Sequence, residues 1–304
     1  MIRSILVPLD GSAFGAQALP TAAAIARREH AALRLVCVHV PTAILPFAGA
    51  TPVEADAERH LRADADVRLE RIARSVAHDY GVPVTHALLD GPVVETIDRY
   101  ARDMGTDLIA MTTHGRSGLR RAWLGSVADG VVRRTRLPVL LIRPRRRPSR
   151  RLRLAAFRRV LLPLDGSALS ERAIPAAVAI AGPVDAEFLL LRVVPPLSVP
   201  KPWVAEYAVY LEPSDVAQRL EAAEAYLDRI AGRLRDDGIS TATRAIAHGQ
   251  PALAILDEAE RAGVDLVAMA THGRGGVARM VLGSVADTVR RRAPAPLLLV
   301  RPES

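Results

Sequence analysis

The polarity pattern of the chain consists of short apolar runs separated by longer segments whose apolar positions recur at helical spacing. The short runs are typical of buried strands and the longer segments of amphipathic helices. Because the two kinds alternate, the pattern predicts an α/β fold with parallel strands and right-handed crossovers. Strands are predicted at 2–9, 33–40, 82–88, 107–111 and 138–142, and again at 160–164, 188–193, 239–246, 265–269 and 296–300. Helices are predicted over 12–27 and 53–80, from 92 and from 126, and then over 167–180 and 214–237, from 251 and from 284.

Two motifs recur and indicate an internal duplication. Pro-Leu-Asp-Gly-Ser-Ala closes the first predicted strand of each half, starting at Pro8 and at Pro163. A segment of seventeen residues follows the fourth strand, from Thr113 and from Thr271, and twelve of its positions are identical. We therefore expect a first domain over 1–144, an Arg-rich linker over 145–157 and a second domain over 158–304.

The longer motif is a Gly-rich loop between a predicted strand and a predicted helix. Gly115 is followed by nine residues and then Gly125-Ser126, and Gly273 is followed in the same way by Gly283-Ser284. Backbone N–H groups in such loops and at helix N-termini attract anions, above all phosphate. The motif thus predicts one phosphate site in each half.

Composition narrows the class of protein. Half of the residues are hydrophobic and 4% are aromatic, so aliphatic side chains must fill the cores. No apolar run approaches the roughly 18 residues of a membrane span. Cys37, the one cysteine, cannot form an intramolecular disulfide, which fits a reducing compartment. We expect a cytoplasmic protein that does not contact a membrane.

The charge is concentrated in one place. The net charge is +8, and eight arginines lie between Arg145 and Arg159. The rest of the chain is near balance, which argues against a uniformly basic nucleic-acid binder. A solvated tether is the favoured interpretation of this linker, and a salt-sensitive basic patch is its alternative.

With these motifs the sequence resembles tandem universal stress proteins, built from two domains of the adenine-nucleotide α-hydrolase-like superfamily. ATP-binding members carry Gly-x-x-Gly, nine residues, and then Gly-Ser or Gly-Thr, and the strand-end aspartates and the segments from Gly91 and Gly249 match as well. The first Gly of that pattern is Thr112 in one half and Ala270 in the other. If the position needs a positive φ, Thr112 weakens ATP binding more than Ala270 does.

The resemblance implies two Rossmann-like domains, each with a five-stranded parallel sheet in the order 3-2-1-4-5 and flanking helices. Ligands then bind outside the carboxyl ends of strands 1 and 4. It further implies ATP, one molecule per domain, as a regulatory ligand in a stress response, with Mg²⁺ carried on its phosphates.

Each expected site residue also has a purely structural interpretation. Asp10 and its counterpart accept hydrogen bonds from ribose or adenine, or form an Asx turn. Val40 offers its backbone to adenine, or belongs to the core. His114 flanks the phosphates or braces the loop, Arg116 meets the γ-phosphate or stays solvated, and Ser126 binds phosphate or caps its helix. The expected ligand-binding residues are Pro8, Asp10, Val40, Thr112, His114, Gly115, Arg116, Gly118, Gly125, Ser126 and Val127, and then Pro163, Asp165, Val193, Ala270, His272, Gly273, Arg274, Gly276, Gly283, Ser284 and Val285.

No catalytic apparatus is recognisable. The chain has no P-loop, no paired metal-binding carboxylates, no Ser-His-Asp order and no Cys/His metal spacing. We expect at most weak ATP hydrolysis and no resident metal. The alternatives are a slow ATP hydrolase and a nucleotide-independent scaffold for a protein partner.

The resemblance also implies assembly through the last strands. Strands 139–142 and 297–300 are expected to pair within one chain, and the whole chain to form a homodimer. The aromatic segment 202–210 is expected to be a lid, an interaction surface or part of the core.

Overall fold

The computed structural model confirms the α/β fold. It describes residues 1–41, 52–113, 125–144, 157–182, 184, 186–194, 213–246, 249–271 and 283–301. The linker up to residue 156 and the aromatic segment 202–210 lie outside these residues. Contacts divide the chain into two compact units, Met1–Ala156 with Pro296–Ser304, and Phe157–Ala295.

The first unit contains strands from both ends of the chain. Its elements are β1 (Ser4–Leu9), α1 (Leu19–Glu29), β2 (Ala32–His39), α2 (Pro52–Tyr80), β3 (Val84–Asp90), α3 (Val93–Asp103), β4 (Leu108–Thr112), α4 (Ser126–Arg134), β5 (Val139–Ile142) and β10 (Leu297–Val300). Its parallel strands have the order β3-β2-β1-β4-β5, as predicted. Beside them, β10 pairs antiparallel with β5, which confirms that the two last strands pair within the chain.

The second unit repeats the parallel pattern. Its elements are β6 (Arg159–Pro163), α5 (Ala168–Glu171), α6 (Ala173–Ala181), β7 (Glu187–Val193), α7 (Pro213–Asp236), β8 (Ser240–Ile246), α8 (Pro251–Arg261), β9 (Leu266–Ala270) and α9 (Ser284–Arg292). The order is β8-β7-β6-β9, which matches 3-2-1-4 of the first half.

Aliphatic side chains form the hydrophobic core around the strands of both units. Ile5, Leu6 and Val7 of β1 have no exposed surface, and all five residues of β4 are buried. Strands that are covered on both faces lose the alternation of polar and apolar residues, which explains why they read as continuous apolar runs.

The first helix of each half is not the single helix that the sequence predicts. A 3₁₀ turn, Gly15–Ala18, precedes α1, and the break between α5 and α6 falls at Arg172. Pro20 and Pro175 explain both breaks, since a proline lacks an N–H and its ring clashes with the carbonyl four residues earlier.

Membrane-spanning helices and metal-binding clusters are both absent from the described residues. No helix among them is both long and apolar enough to cross a membrane. They also contain no group of three or more His, Cys, Asp or Glu side chains arranged to hold a metal ion.

Candidate functional site

The strand order of the first unit reverses at β1, which has β2 on one side and β4 on the other. In parallel α/β sheets, ligands bind outside the carboxyl ends of the strands at this point. Asp10 follows the end of β1 and Thr113 follows the end of β4. Residues a hundred positions apart in the sequence therefore lie at one edge of the sheet.

A backbone hydrogen bond closes the loop after the fourth strand in both halves. The N–H of Gly125 donates to the carbonyl of Thr113 at 2.6 Å, and the N–H of Gly283 donates to the carbonyl of Thr271 at 2.9 Å. Each bond brings the start of the next helix back to the end of the strand. The loop residues between them lie outside the described residues, including His114, Gly115, Arg116, Gly118, His272, Gly273, Arg274 and Gly276.

A cavity of about 330 Å³ opens at this edge of the first unit. Most of its lining is apolar, from Leu9, Val36, Val38, Val93, Ile97 and Met111. The remaining lining residues are Pro8, Asp10, Gly15, Cys37, Thr112, Thr113, Gly125, Ser126, Val127 and Ala128. An apolar cavity of this size with a few convergent polar groups is typical of small-molecule sites.

Asp10 is held in an Asx turn. Its Oδ1 accepts from the N–H of Ser12 at 2.9 Å and from the hydroxyl of Ser12 at 2.6 Å. Asp165 and Ser167 repeat both bonds at the same distances. A carboxylate offers about four lone-pair sites, so the turn and a ligand contact are compatible. The turn fixes the carboxylate where it lines the cavity.

In the first unit, Gly15 lies directly against this carboxylate. A Cβ built on Gly15 would lie 2.5 Å from Oδ1 of Asp10. Real Cβ atoms do not approach oxygen this closely, so a larger residue would push the carboxylate aside.

The N-terminus of α4 forms one wall of the cavity. Gly125 is the N-cap residue, in an extended conformation, and makes no side-chain cap hydrogen bond. Ser126 is therefore the first helical residue, and the interpretation that it caps the helix is wrong; Ser284 in α9 repeats this arrangement after Gly283. Unbonded N–H groups of a first helical turn carry partial positive charge and bind anions.

The model of the universal stress protein family matches this chain twice, over residues 1–143 and 156–301. The chain belongs to the universal stress protein family. Both matches contain the Asx turn, the closed loop and the helix start described above.

Relatives match nearly the whole chain. A universal stress protein of Mycolicibacterium smegmatis is 27% identical over 98% of this chain and 97% of its own length. The crystal structure of a universal stress protein from Archaeoglobus fulgidus superimposes with a TM-score of 0.69 at 22% identity, covering 98% of both chains. This similarity shows that the tandem fold is shared.

Some solved family members that are similar to about half of the chain carry nucleotides. One is in complex with cAMP and another, from Arabidopsis thaliana, has AMP bound, at TM-scores of 0.37 and 0.34. Those ligands belong to those proteins, because superposition at such TM-scores says nothing about the ligand of this chain.

The structure brings together part of the predicted set. Pro8, Asp10, Thr112 and the helix start Gly125–Val127 all line the cavity of the first unit. Their contacts with a nucleotide stay a prediction. In the second half, Pro163, Val193 and Ala270 end strands, Asp165 follows β6, and Gly283, Ser284 and Val285 begin α9.

Val40 is not among the residues that line the cavity. It follows the end of β2 and is 40% exposed, whereas Val38 lines the cavity and was missed. Strand register could have found it: Pro8 pairs with Val36 and Pro163 pairs with Leu191, so the counterpart of Val193 is Val38.

Thr112 and Ala270 do not have the positive φ that would weaken ATP binding. They are the last residues of β4 and β9, and His30 is the one non-glycine residue with positive φ among the described residues. Thr112 pairs in register with Ile142. The expected backbone strain is therefore absent, since an extended strand accepts threonine readily.

Proposed function

We propose that this universal stress protein binds ATP as a regulatory ligand in a cytoplasmic stress response. The observation that supports it is the cavity at the switch point of the first unit, where an apolar pocket meets a helix N-terminus and a fixed carboxylate. An adenine nucleotide has the matching three parts, which are a flat base, a ribose with two hydroxyls and a chain of phosphates.

Each part of the nucleotide has a proposed partner. The base packs among Val36, Val38, Ile97 and Met111, all of which line the cavity. Asp10 accepts hydrogen bonds from the ribose hydroxyls. The phosphates meet the first turn of α4, where the backbone N–H groups and the hydroxyl of Ser126 act as donors.

Mg²⁺ fits the proposal as a companion of the phosphates. Mg²⁺ binds through one or two carboxylates plus substrate phosphates more often than in a cage of protein ligands. The polar lining of the cavity, one carboxylate and several hydroxyls, suits a nucleotide better than a bare metal ion. When bound, Mg²⁺ would neutralise phosphate charge.

We assign no catalytic residue. The described residues of the cavity lining include one carboxylate and no lysine or histidine. The carboxylate therefore has no cationic or imidazole partner there that would assist it as the general base of a hydrolysis reaction. ATP therefore acts by occupancy, and a protein partner, or a second copy in a homodimer, recognises the ATP-bound form.

Calorimetric titration of ATP into protein purified without nucleotide tests this proposal. Asp10→Asn keeps an acceptor for the Asx turn and removes the charge on the ribose contact. Because hydrogen bonds to charged groups contribute about 1.5–3 kcal/mol, affinity should fall roughly tenfold to a hundredfold. Asp103→Asn, on an exposed residue at the end of α3, is the control and should leave affinity unchanged.

Two outcomes would contradict the proposal. If the titration with millimolar ATP releases or absorbs no heat of binding, the protein is better explained as a nucleotide-independent scaffold. Equal affinity in the Asp10→Asn variant and the wild type would remove Asp10 from the site.

A further inference from the structure

The two halves differ at one position beside the Asx turn. Because Pro8 pairs with Val36 and Pro163 with Leu191, the next residues of the second strands, Cys37 and Arg192, occupy equivalent places. Cys37 lines the cavity of the first unit. The second unit therefore carries a long cationic side chain where the first carries a small neutral one.

The guanidinium of Arg192 lies against the turn that holds Asp165. Gly166, the middle residue of this turn, has a φ of +84°, and a Cβ built on it would lie 2.7–2.9 Å from three guanidinium atoms of Arg192. The guanidinium thus occupies the corner between the end of β7 and the turn after β6.

A buried aromatic ring holds the guanidinium in this corner. The centre of the Tyr226 ring lies 4.7 Å from Cζ of Arg192, within the range of a cation–π contact. Tyr226 is 6% exposed, and its hydroxyl donates to Oε1 of Glu171 at 3.0 Å. Arg233 binds the other oxygen of Glu171 at 2.9 Å. These contacts make the platform rigid.

Burial and the hydrogen bond to Glu171 raise the pKa of Tyr226, so the phenol stays protonated near neutral pH. The ring is therefore neutral, and the contact with Arg192 does not depend on pH in the physiological range.

The first unit has none of these groups. Counted from the aspartates of the two turns, Ala16 stands where Glu171 stands. Counted back from Gly81 and Gly238, which follow α2 and α7 with positive φ, Leu69 stands where Tyr226 stands. Neither Ala16 nor Leu69 offers the ion pair or the aromatic ring that holds a guanidinium in the second unit.

A second substitution narrows the same corner. Ser170 is the counterpart of Gly15, which lines the first cavity. The hydroxyl of Ser170 accepts from the N–H of Asp165 at 3.3 Å and donates to the carbonyl of Ser167 at 2.8 Å. The turn of the second unit is thus braced by a side chain that the first unit lacks.

We propose that Arg192 is a specificity-determining residue that excludes ATP from the second site, so the chain binds one ATP, in the first unit. This inference rests on the proposed function. The guanidinium is fixed beside the Asp165 turn, whereas the equivalent position in the first unit carries the short side chain of Cys37, which lines its cavity. The exclusion is steric, because a cation by itself attracts phosphate, and specificity against a ligand commonly arises from a bulky group placed in its path.

The binding stoichiometry, measured by calorimetry or by equilibrium dialysis with labelled ATP, tests the inference. Wild type should bind one ATP per chain. Arg192→Cys, which restores the residue of the first unit, should bind two, with the new site within about tenfold of the first in affinity. The Cys37→Arg variant should bind no ATP with an affinity comparable to that of the wild-type site. Arg229→Cys removes the other cation near the Tyr226 ring, at 5.4 Å, and should leave the value at one.

The outcomes separate this inference from the proposed function. No binding by wild type would overturn the proposed function, and the inference with it. Two equal equivalents in wild type, or one equivalent in Arg192→Cys, would overturn the inference alone. Circular dichroism checks that each variant folds, and Arg192→Ala replaces Arg192→Cys if that variant does not.

Discussion

Asp107 and Asp265 show how a single residue can join two neighbouring strands. The carboxylate of Asp107 accepts from the N–H of Arg3 at 2.7 Å and of Ser4 at 3.0 Å. Asp265 does the same for Arg158 at 2.8 Å and Arg159 at 3.1 Å. In both units these hydrogen bonds join the start of the fourth strand to the start of the first strand. The first and fourth strands are the two that flank the switch point.

Replacing Asp107 should destabilise the fold. Asp107→Ala removes two hydrogen bonds to a charged acceptor, and because they are partly solvent-exposed we expect a loss of about 1–2 kcal/mol in the free energy of unfolding. Urea unfolding measures it, with Asp103→Ala as an exposed control on the preceding helix. An equal, small effect of both substitutions would show that the bonds contribute nothing.

Gly15 should matter for binding more than for stability. In Gly15→Ala the new Cβ would meet Oδ1 of Asp10 at 2.5 Å, so the carboxylate must move away from its ribose contact. The affinity for ATP should fall roughly tenfold or more.

Gly232→Ala is the matched control for this substitution. Its Cβ, in α7, would meet nothing within 4 Å. It should stabilise the protein by about 0.5–1 kcal/mol, because alanine favours the helix, and leave affinity unchanged. Unchanged ATP affinity in Gly15→Ala would contradict the placement of Asp10 in the site.

At the scale of elements, α9 carries an internal ion-pair cluster. Burial on its own raises the pKa of Asp287, but hydrogen bonds from Arg291 and Arg290 outweigh it, so this pKa lies below its ordinary value. Oδ1 of Asp287 accepts from Nε of Arg290 at 2.8 Å and Oδ2 accepts from Nε of Arg291 at 3.0 Å. A lowered folded pKa means that the ionised form stabilises the folded protein.

This cluster predicts a pH dependence. The stabilisation by Asp287 is present above the ordinary carboxyl pKa of about 4 and is lost as the pH falls through the lowered folded pKa. Asp287→Asn should therefore be less stable than wild type at pH 7, and the difference should shrink towards pH 2.5. Urea unfolding at steps of pH measures this, with Asp257→Asn, at an exposed position of α8, as control. A difference that is constant with pH would exclude the ionic cause.

Elements were predictable where their signal is local. Apolar runs predict each strand to within about two residues, as for the run 107–111 and the observed β4, because buried parallel strands are almost continuously apolar. The spacing of apolar residues predicts a single first helix in each half, and it does not show the breaks that Pro20 and Pro175 cause. That error is local and correctable from the sequence.

The site was only partly predictable, for a different reason. Asp10 and Gly125 lie in repeated motifs and were found, but Ile97 and Met111 look like ordinary core residues of a helix and a strand. Whether such residues face a cavity or packed atoms depends on register and crossover geometry. Arg192 was missed because its neighbour Tyr226 comes from a distant helix.

At the scale of the whole molecule, the two units share one framework and differ in the residues beside the Asx turn. The Asx turn, the strand-bracing aspartate and the loop-closing hydrogen bond recur in both units. The open cavity with Gly15 and Cys37 belongs to the first unit, and the cluster of Arg192, Tyr226 and Glu171 to the second. The repeated parts define the fold, and the parts that differ are those that we propose to determine which unit binds ATP.

Photolabelling with 8-azido-ATP tests the central claim most directly, because it reports where the base lies. After irradiation and proteolysis, mass spectrometry should find the label on peptides that contain residues 36–38, 93–97 or 111, which line the cavity of the first unit. Excess ATP should abolish the labelling. Label confined to the second half, or labelling that ATP does not compete with, would contradict ATP binding in the first cavity.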